Sequence, residues 1–277
     1  MRGRGSSGGS KDSGGREIQD IIDCLRDAMA TYPDQVNPDQ VYIVGYSGGG
    51  GNVLGALCRF PDTFAGGIDH FGMSSYSAWY AENAAYRSKM ETQIGGTPAE
   101  VPDAYASREY RDAVINYVSG HLWLIHDPDD NIVEVSHSTS LISALDNASL
   151  ENYSYHPDDW GHASPIPDAE NIWVPSIQAG TYSAWTVAES GVLQVAGWVD
   201  TKRFSLWLGS GNAEFGELTY DMTTREFTIT TDTGASAWTL TLFGQTPSSS
   251  IAATINAVGE SETSDADGVV TFTGSIE

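Results

Sequence analysis

The chain has 277 residues and a formal net charge of −24, from 37 acidic and 13 basic side chains. That length supports one large or two medium domains with real cores, and the charge excludes a basic patch for nucleic acid and repels phosphates. No apolar run approaches the ~18–20 residues of a membrane span, and Met1-Arg-Gly-Arg-Gly has no apolar stretch behind it to make a signal peptide. The acid excess, with only three lysines (Lys11, Lys89 and Lys202), fits the cytoplasm of a high-salt organism or an extracellular or surface protein, and leaves the compartment open. Cys24 and Cys58 form no C-x-x-C pair and read as buried thiols.

In chain order, residues 1–16 are mostly Gly, Ser, Arg and Lys and read as a flexible loop or arm. Ile18, Ile21, Ile22, Leu25 and Met29 then recur at helical spacing, predicting an amphipathic helix to about Tyr32, ended by Pro33 and Pro38. An apolar β-branched run, Val41 to Val44, follows. It meets Gly45-Tyr46-Ser47-Gly48-Gly49 and then a helix-capable segment, Asn52 to Arg59. Strand, G-x-S-x-G, helix is the context of a nucleophile elbow, where a serine sits on a sharp turn and the residues two before and two after it are small. The helix N-terminus behind Ser47 aims backbone N–H groups at any anion formed there. The Gly48–Gly51 run fits neither a G-x-G-x-x-G register nor a P-loop, since no Lys-Ser/Thr follows.

Phe64 to Phe71 predicts a second short strand. Residues 73–120 mix aromatics and charges at helical spacing and read as helices and loops, a candidate cap over the site. His121 to His126 is a third buried strand, running into Asp127-Pro128-Asp129-Asp130-Asn131. A helix from Ser136 to about Leu145 and a strand from Glu151 to Tyr155 come next, then Asp159-Trp160-Gly161-His162. Strands alternating with helices argue a mostly parallel sheet, in which ligands bind beyond the carboxyl ends of the strands. Ser47, Asp130 and His162 each lie just past such an end.

From about residue 175 helical periodicity vanishes. Gly191–Val199, Phe204–Leu208, Phe227–Thr231, Trp238–Phe243, Ile251–Ile255 and Val269–Thr273 have strand composition, separated by turn signals at Gly209-Ser210-Gly211, Asp232-Thr233-Gly234 and Thr246-Pro247. Short strands at hairpin spacing predict an antiparallel, sandwich-like all-β domain over 175–277 after an α/β domain over 17–174. The second domain is acidic too, with 12 acids and 3 bases from Ser176 onward.

The order Ser47, Asp130, His162 is the serine–acid–histidine order of α/β-hydrolases. The chain resembles their prolyl-oligopeptidase-like branch over residues 2–175. Arg2 to Gly8 looks like that branch's loop after an early strand, Val41–Gly49 like its elbow, Ile125-His126 with Asp130 and Val133 like its acid loop, and Gly161-His162 like its histidine turn. The resemblance implies Ser47 as nucleophile, His162 as general base and acid, Asp130 as the group that fixes the histidine, and the Gly48 backbone N–H as one oxyanion donor. It calls for an ester or peptide substrate and for no cofactor or metal. Asp127 and Asp129 compete for the acid but sit at the wrong offset from His126 and Val133. His156 competes with His162 but lacks the turn glycine. The Asp127–Asn131 oxygens suit Ca²⁺ by type without the rest of a calcium loop. Tyr46 and Trp160 are candidate substrate contacts, with Trp79 and Tyr80 as further candidates to line a pocket, although aromatic core packing is the leading role for the tryptophans and for Tyr80. His70 and His137 read as structural or exposed.

The chain departs from the resemblance before the elbow, where one helix and no strand precede the Val41–Val44 strand. The elbow strand is then expected to have one unpaired edge, completed by another chain, a second copy or the β-domain. The expected function is a serine hydrolase of esterase or peptidase type. The alternative is a non-catalytic structural or adhesive component of a surface or virion assembly. On either reading the chain is expected to be an oligomer or part of an assembly.

Overall fold

The computed structural model describes residues 1–118, 120–163, 166–209, 214–232 and 236–276, with the side chains of 166–168 left aside. Ser210, Gly211, Thr233 and Gly234, at two of the expected turns, lie outside the described residues. Among the described residues no helix is long and apolar enough to cross a membrane.

The first half is a parallel sheet with helices on both faces. Helix α1 (Glu17–Thr31) buries Ile18 and Ile22 at helical spacing, and its first turn carries Glu17 and Asp20. Strand β1 (Tyr42–Tyr46) leads directly into α2 (Gly48–Arg59), which starts four residues earlier than its sequence suggests. Strand β2 (Gly66–His70) follows. The region expected as a cap holds short helices α3 (Tyr76–Glu82), α4 (Arg87–Ile94), α5 (Pro102–Ala106) and α6 (Tyr110–Ala113). Then come β3 (His121–His126), α7 (Ser136–Asn147), β4 (Tyr153–Pro157) and α8 (Ile166–Gln178). The order β1-β2-β3-β4 is parallel throughout. One core, under α1 and α2, gathers Ile18, Val53, Leu54, Leu57 and Leu124; the other face packs Ile68, Trp123 and Ile125 against Ile172, Trp173 and Ile177 of α8.

β1 is an edge strand whose partner is β2. The Ser47 N–H and the Val41 carbonyl both bond toward β2. By the alternation of backbone groups, the N–H and C=O of Tyr42, Val44 and Tyr46 point outward, and Val44 is 46 % exposed.

The second half is a sandwich. One sheet has the order β13-β10-β7-β6 and the other β12-β11-β9-β8-β5, built from β5 (Ser190–Ala196), β6 (Trp198–Asp200), β7 (Phe204–Leu208), β8 (Phe215–Asp221), β9 (Glu226–Thr231), β10 (Ala237–Leu242), β11 (Ser250–Ile255), β12 (Val258–Thr263) and β13 (Val270–Ser275). All pairings are antiparallel except a short parallel one between β9 and β11. The inward residues of both sheets, among them Leu206, Leu218, Ile229, Leu240 and Phe272, close one core.

Residues 1–16 carry no helix or strand, yet they are pinned. Arg2 pairs with Asp20 at 2.5 Å, Arg4 with Glu17 at 2.7 Å, and Asp12 with the buried Arg108 at 2.5 Å. The cysteine expectation needs one correction. Cys58 is buried, and burial pushes its thiol pKa up, whereas Cys24 lies on the polar face of α1 and is exposed.

Candidate active site

The nucleophile candidate is built by backbone strain. Ser47 has φ 53° and ψ −120°, a left-handed value that a non-glycine residue holds only when its surroundings enforce it. Enforcement comes from its N–H bonding to the His70 carbonyl at 2.9 Å and its own carbonyl accepting from Gly51 at 3.0 Å. The glycine pattern differs in detail from the sequence expectation. A Cβ on Gly45 would sit 2.1 Å from the Gly49 carbonyl oxygen, so that position is obligate. A Cβ on Gly49 would meet nothing within 4 Å, whereas one on Gly50 would lie 2.2 Å from an Asp69 carboxyl oxygen. The helix crosses β2 closely at Gly50, so the small residue is needed one place later than the motif suggests.

Three side chains meet beyond the carboxyl ends of β1, β3 and β4. Ser47 Oγ lies 2.9 Å from His162 Nε2, and His162 Nδ1 lies 2.8 Å from Asp130 Oδ2. The Asp130 side chain is fully buried and that of His162 is 19 % exposed. The other oxygen of Asp130 accepts the N–H groups of Ile132 at 2.8 Å and Val133 at 3.2 Å. An acid acceptor on Nδ1 leaves Nε2 facing the serine as a base. A hydroxyl, an imidazole and a carboxylate in this sequence of contacts are equipped for nucleophilic attack on a carbonyl with proton relay through the histidine.

The rival acids fall elsewhere. Asp129 is exposed. Asp127 accepts the Asp129 N–H at 2.7 Å and also the Gly161 N–H. Those two backbone donors, with the nearby His126, hold its pKa below the usual carboxylate range. It thereby ties the acid loop to the turn that carries His162, a role the sequence did not mark. His156 points to Ser154 at 3.1 Å. His70 and His137 are both buried, and burial lowers each to about 4. Among the described residues no group of three or more His, Cys, Asp or Glu side chains is gathered to hold a metal ion.

A cavity of about 100 Å³ opens beside Ser47 and Gly48, lined by Met73, Trp79, Tyr86 and Met90 with Arg4, Ser13, Lys89 and Gln93. Trp79 thus borders the cavity, while the Tyr80 hydroxyl bonds to Glu91 at 2.5 Å. Neither Tyr46 nor Trp160 borders it. Tyr46 packs against His70 with ring centroids 4.4 Å apart and the planes tilted by 31°, and Trp160 packs onto the Ile68–Trp123–Ile125 cluster. Phe71, which the sequence offered only as the end of a strand, has its ring 4.6 Å from that of His162 and φ 43°. Its positive φ turns the chain after β2 so that an apolar ring backs the imidazole; no composition signal marks such a residue.

The parallel sheet, the strained serine between strand and helix, and the acid and histidine on later strand ends define an α/β-hydrolase-type domain. Residues 5–179 match the model of the prolyl oligopeptidase family, and the chain belongs to that family. It is 31% identical over 173 residues to an uncharacterized peptidase, YtmA, of Bacillus subtilis (strain 168), a match covering 61% of this chain and 65% of that protein. Among solved structures, it shares its fold with an acylaminoacyl peptidase of Pyrococcus horikoshii (TM-score 0.52, 23% identity, 62% of this chain and 28% of that one). The same holds for a puromycin-hydrolyzing peptidase of Mycobacterium tuberculosis (TM-score 0.52, 20% identity, 61% and 25%). The matched region therefore spans under two thirds of the curated relative and about a quarter of these structures.

Proposed function

We propose that this chain is a serine hydrolase of peptidase type, in which Ser47 attacks a peptide or ester carbonyl and forms an acyl-enzyme. His162 takes the serine proton and returns it to the leaving group. Asp130 holds the imidazole in the Nδ1–H tautomer and stabilises the imidazolium. The Gly48 N–H, at the first turn of α2, supplies an oxyanion donor; such a donor is worth ~10²–10³ in rate. The observation that carries the reading is the unbroken run of hydrogen bonds from Ser47 to His162 to Asp130, at 2.9 and 2.8 Å. The family membership and the B. subtilis relative's name favour a peptide over a simple ester.

With this reading goes a division into a leading loop over 1–16, a hydrolase domain over 17–174 and a β-sandwich over 175–277, with α8 reaching across the second boundary. The outward edge of β1 completes its sheet with a strand from another polypeptide. What supports this is an edge of uncharged residues, Tyr42-Ile-Val-Gly-Tyr46, with Val44 half exposed.

The test is labelling of the folded chain with a fluorophosphonate serine probe, in low and molar salt, beside Ser47→Ala. Ser47→Ala is expected to abolish labelling and to lower peptide or ester hydrolysis by at least ~10³-fold. Labelling that survives in the variant removes Ser47 as nucleophile. A folded wild type that never labels overturns the hydrolase reading.

A further inference from the structure

A second histidine lies behind the acid. His126 ends β3 and is fully buried. Its Nδ1 is 2.8 Å from the Ser138 hydroxyl on α7, and its Nε2 is 2.9 Å from the Val133 carbonyl oxygen. A carbonyl oxygen only accepts, so Nε2 carries the proton; in the neutral ring Nδ1 is then the acceptor and the Ser138 hydroxyl donates to it. The same Nε2 is 3.5 Å from Asp130 Oδ2, the oxygen that His162 uses. The residue whose carbonyl His126 grips also donates its own N–H to the other Asp130 oxygen, at 3.2 Å.

We propose that His126, fixed as the Nε2–H tautomer by the Val133 carbonyl and held from its other nitrogen by Ser138, is a positioning residue that sets the Asp130 carboxylate against His162. The proposal rests on the reading of Ser47, His162 and Asp130 as a triad. Without this strut Asp130 is fixed by two N–H groups of a loop, residues 130–135, that has no helix or strand of its own. His126 joins that loop to the rigid end of β3 and, through Ser138, to α7. The charged and titratable groups that face the ring are Asp127, Asp130 and His162 from the acid and histidine loops and His137 from α7, while Tyr155 on β4 donates its hydroxyl to the His126 carbonyl at 3.4 Å. Burial lowers the His126 pKa, which agrees with a neutral ring beside these groups. A histidine that only filled the core would need hydrogen-bond partners, but not one on the acid loop and another within reach of the acid itself.

The experiment compares His126→Gln, His126→Asn and Ser138→Ala in the full chain, each checked for folding by circular dichroism. Glutamine places an amide N–H near the position of Nε2 and keeps the bond to Val133, whereas asparagine is too short to reach. His126→Asn is expected to lower kcat by about 10²-fold, the cost of displacing a catalytic group by ~1 Å, with KM within twofold. It should also erase the far-downfield proton resonance of the His162 Nδ1–H···Asp130 bond. His126→Gln should keep the resonance and most of kcat, with Ser138→Ala between the two. A folded His126→Asn with wild-type kcat and resonance overturns the proposal. So does an equal loss in the asparagine and glutamine variants confined to the melting temperature. If wild type never labels at Ser47 but the resonance is present in wild type and His126→Gln and absent in His126→Asn, the positioning role stands and the hydrolase reading falls.

Discussion

The two halves of this chain are held together by different means. The sandwich is closed by alternation: Leu218 and Tyr220 on β8, Phe227 and Ile229 on β9, and Leu240 and Leu242 on β10 all point into one apolar core, with polar partners on the other side of each strand. The α/β half has an apolar core too, but its loops and its seam with the sandwich depend on buried polar pins. The fully buried Arg59 donates to the carbonyls of Ala196 at 2.9 Å, Gly14 at 2.9 Å and Ser107 at 2.7 Å, and stacks 3.7 Å from the Trp198 ring. Asn116 exchanges two hydrogen bonds with the backbone of Gln194, covering the β5 edge as a strand would. An apolar core tolerates small changes by repacking; a polar pin fails as a unit, because every partner it leaves is buried.

The comparison is broken or kept most strongly at Arg59. Arg59→Met keeps volume and apolar contact but takes a donor from three buried carbonyls, of which that of Gly14 keeps the Tyr110 hydroxyl. It is expected to cost about 3–5 kcal/mol in urea unfolding, at ~1–3 kcal/mol for each group left unsatisfied less what water recovers. Leu206→Ala, in the sandwich core, is expected to cost about 2–5 kcal/mol as a cavity. If Arg59→Met costs under about 1 kcal/mol, the seam is held by packing alone and the contrast between the halves disappears.

The same contrast decides what could be read from sequence. The alternating strands were legible: Phe204–Leu208 coincides with β7, and β9, β10, β11 and β13 lie within about two residues of their composition signals. The parallel half was legible where strand, glycine and chain order coincide, at Ser47, Asp130 and His162. Strand β12 was not, because all its side chains are exposed and only its ladder with β11 forms it. Strand β8 was missed because Gly216 occupies an inward position and dilutes the apolar period. Helix α8 was masked by its prolines; Pro167 stands at the second helical position, where no N–H is needed, and Pro175 is tolerated inside. The pins themselves leave no local trace. Arg59 meets residues 45, 48 and 137 positions away, and Asp127 meets Gly161 34 positions away.

A second pin acts through pH. Asp69 is buried on β2 against the elbow helix, accepts the Gly72 N–H at 2.9 Å, and is pushed by burial up to about 7. In the unfolded chain an aspartate titrates near ~3.9. Between those values the native state holds a proton that the unfolded state has lost, so this group's contribution to stability is full below about pH 4 and declines as pH rises toward 7. His70, His121 and His137, each lowered to about 4 by burial, act in the opposite sense and lose stability as pH falls from ~6.5. Asp69→Asn removes only the first slope. Its unfolding free energy minus that of wild type is expected to be flat below pH 4 and to rise by a few kcal/mol toward pH 7. A difference that stays constant across this range would mean that Asp69 is ionised in the fold, and that the elbow is not backed by a protonated acid.

The smallest expected effect separates the motif from the structure that enforces it. By pattern alone Gly45 and Gly49 are equivalent, each two residues from Ser47. In the fold they are not, since a methyl on Gly45 would run into the Gly49 carbonyl at 2.1 Å and one on Gly49 would meet open space. Gly49 also lies in the first turn of α2, where alanine loses less backbone entropy on folding than glycine. Gly49→Ala is therefore expected to leave the melting temperature unchanged or to stabilise by about 0.5–1 kcal/mol, and to leave Ser47 labelling by a small fluorophosphonate within a few-fold. Gly45→Ala is expected to lose both the fold around the elbow and the labelling, because β1 and the start of α2 must part to admit the methyl. If Gly49→Ala proves as damaging as Gly45→Ala, the space beside α2 is filled in the working protein by something outside the described residues, and the outward edge of β1 is the first place to look for it.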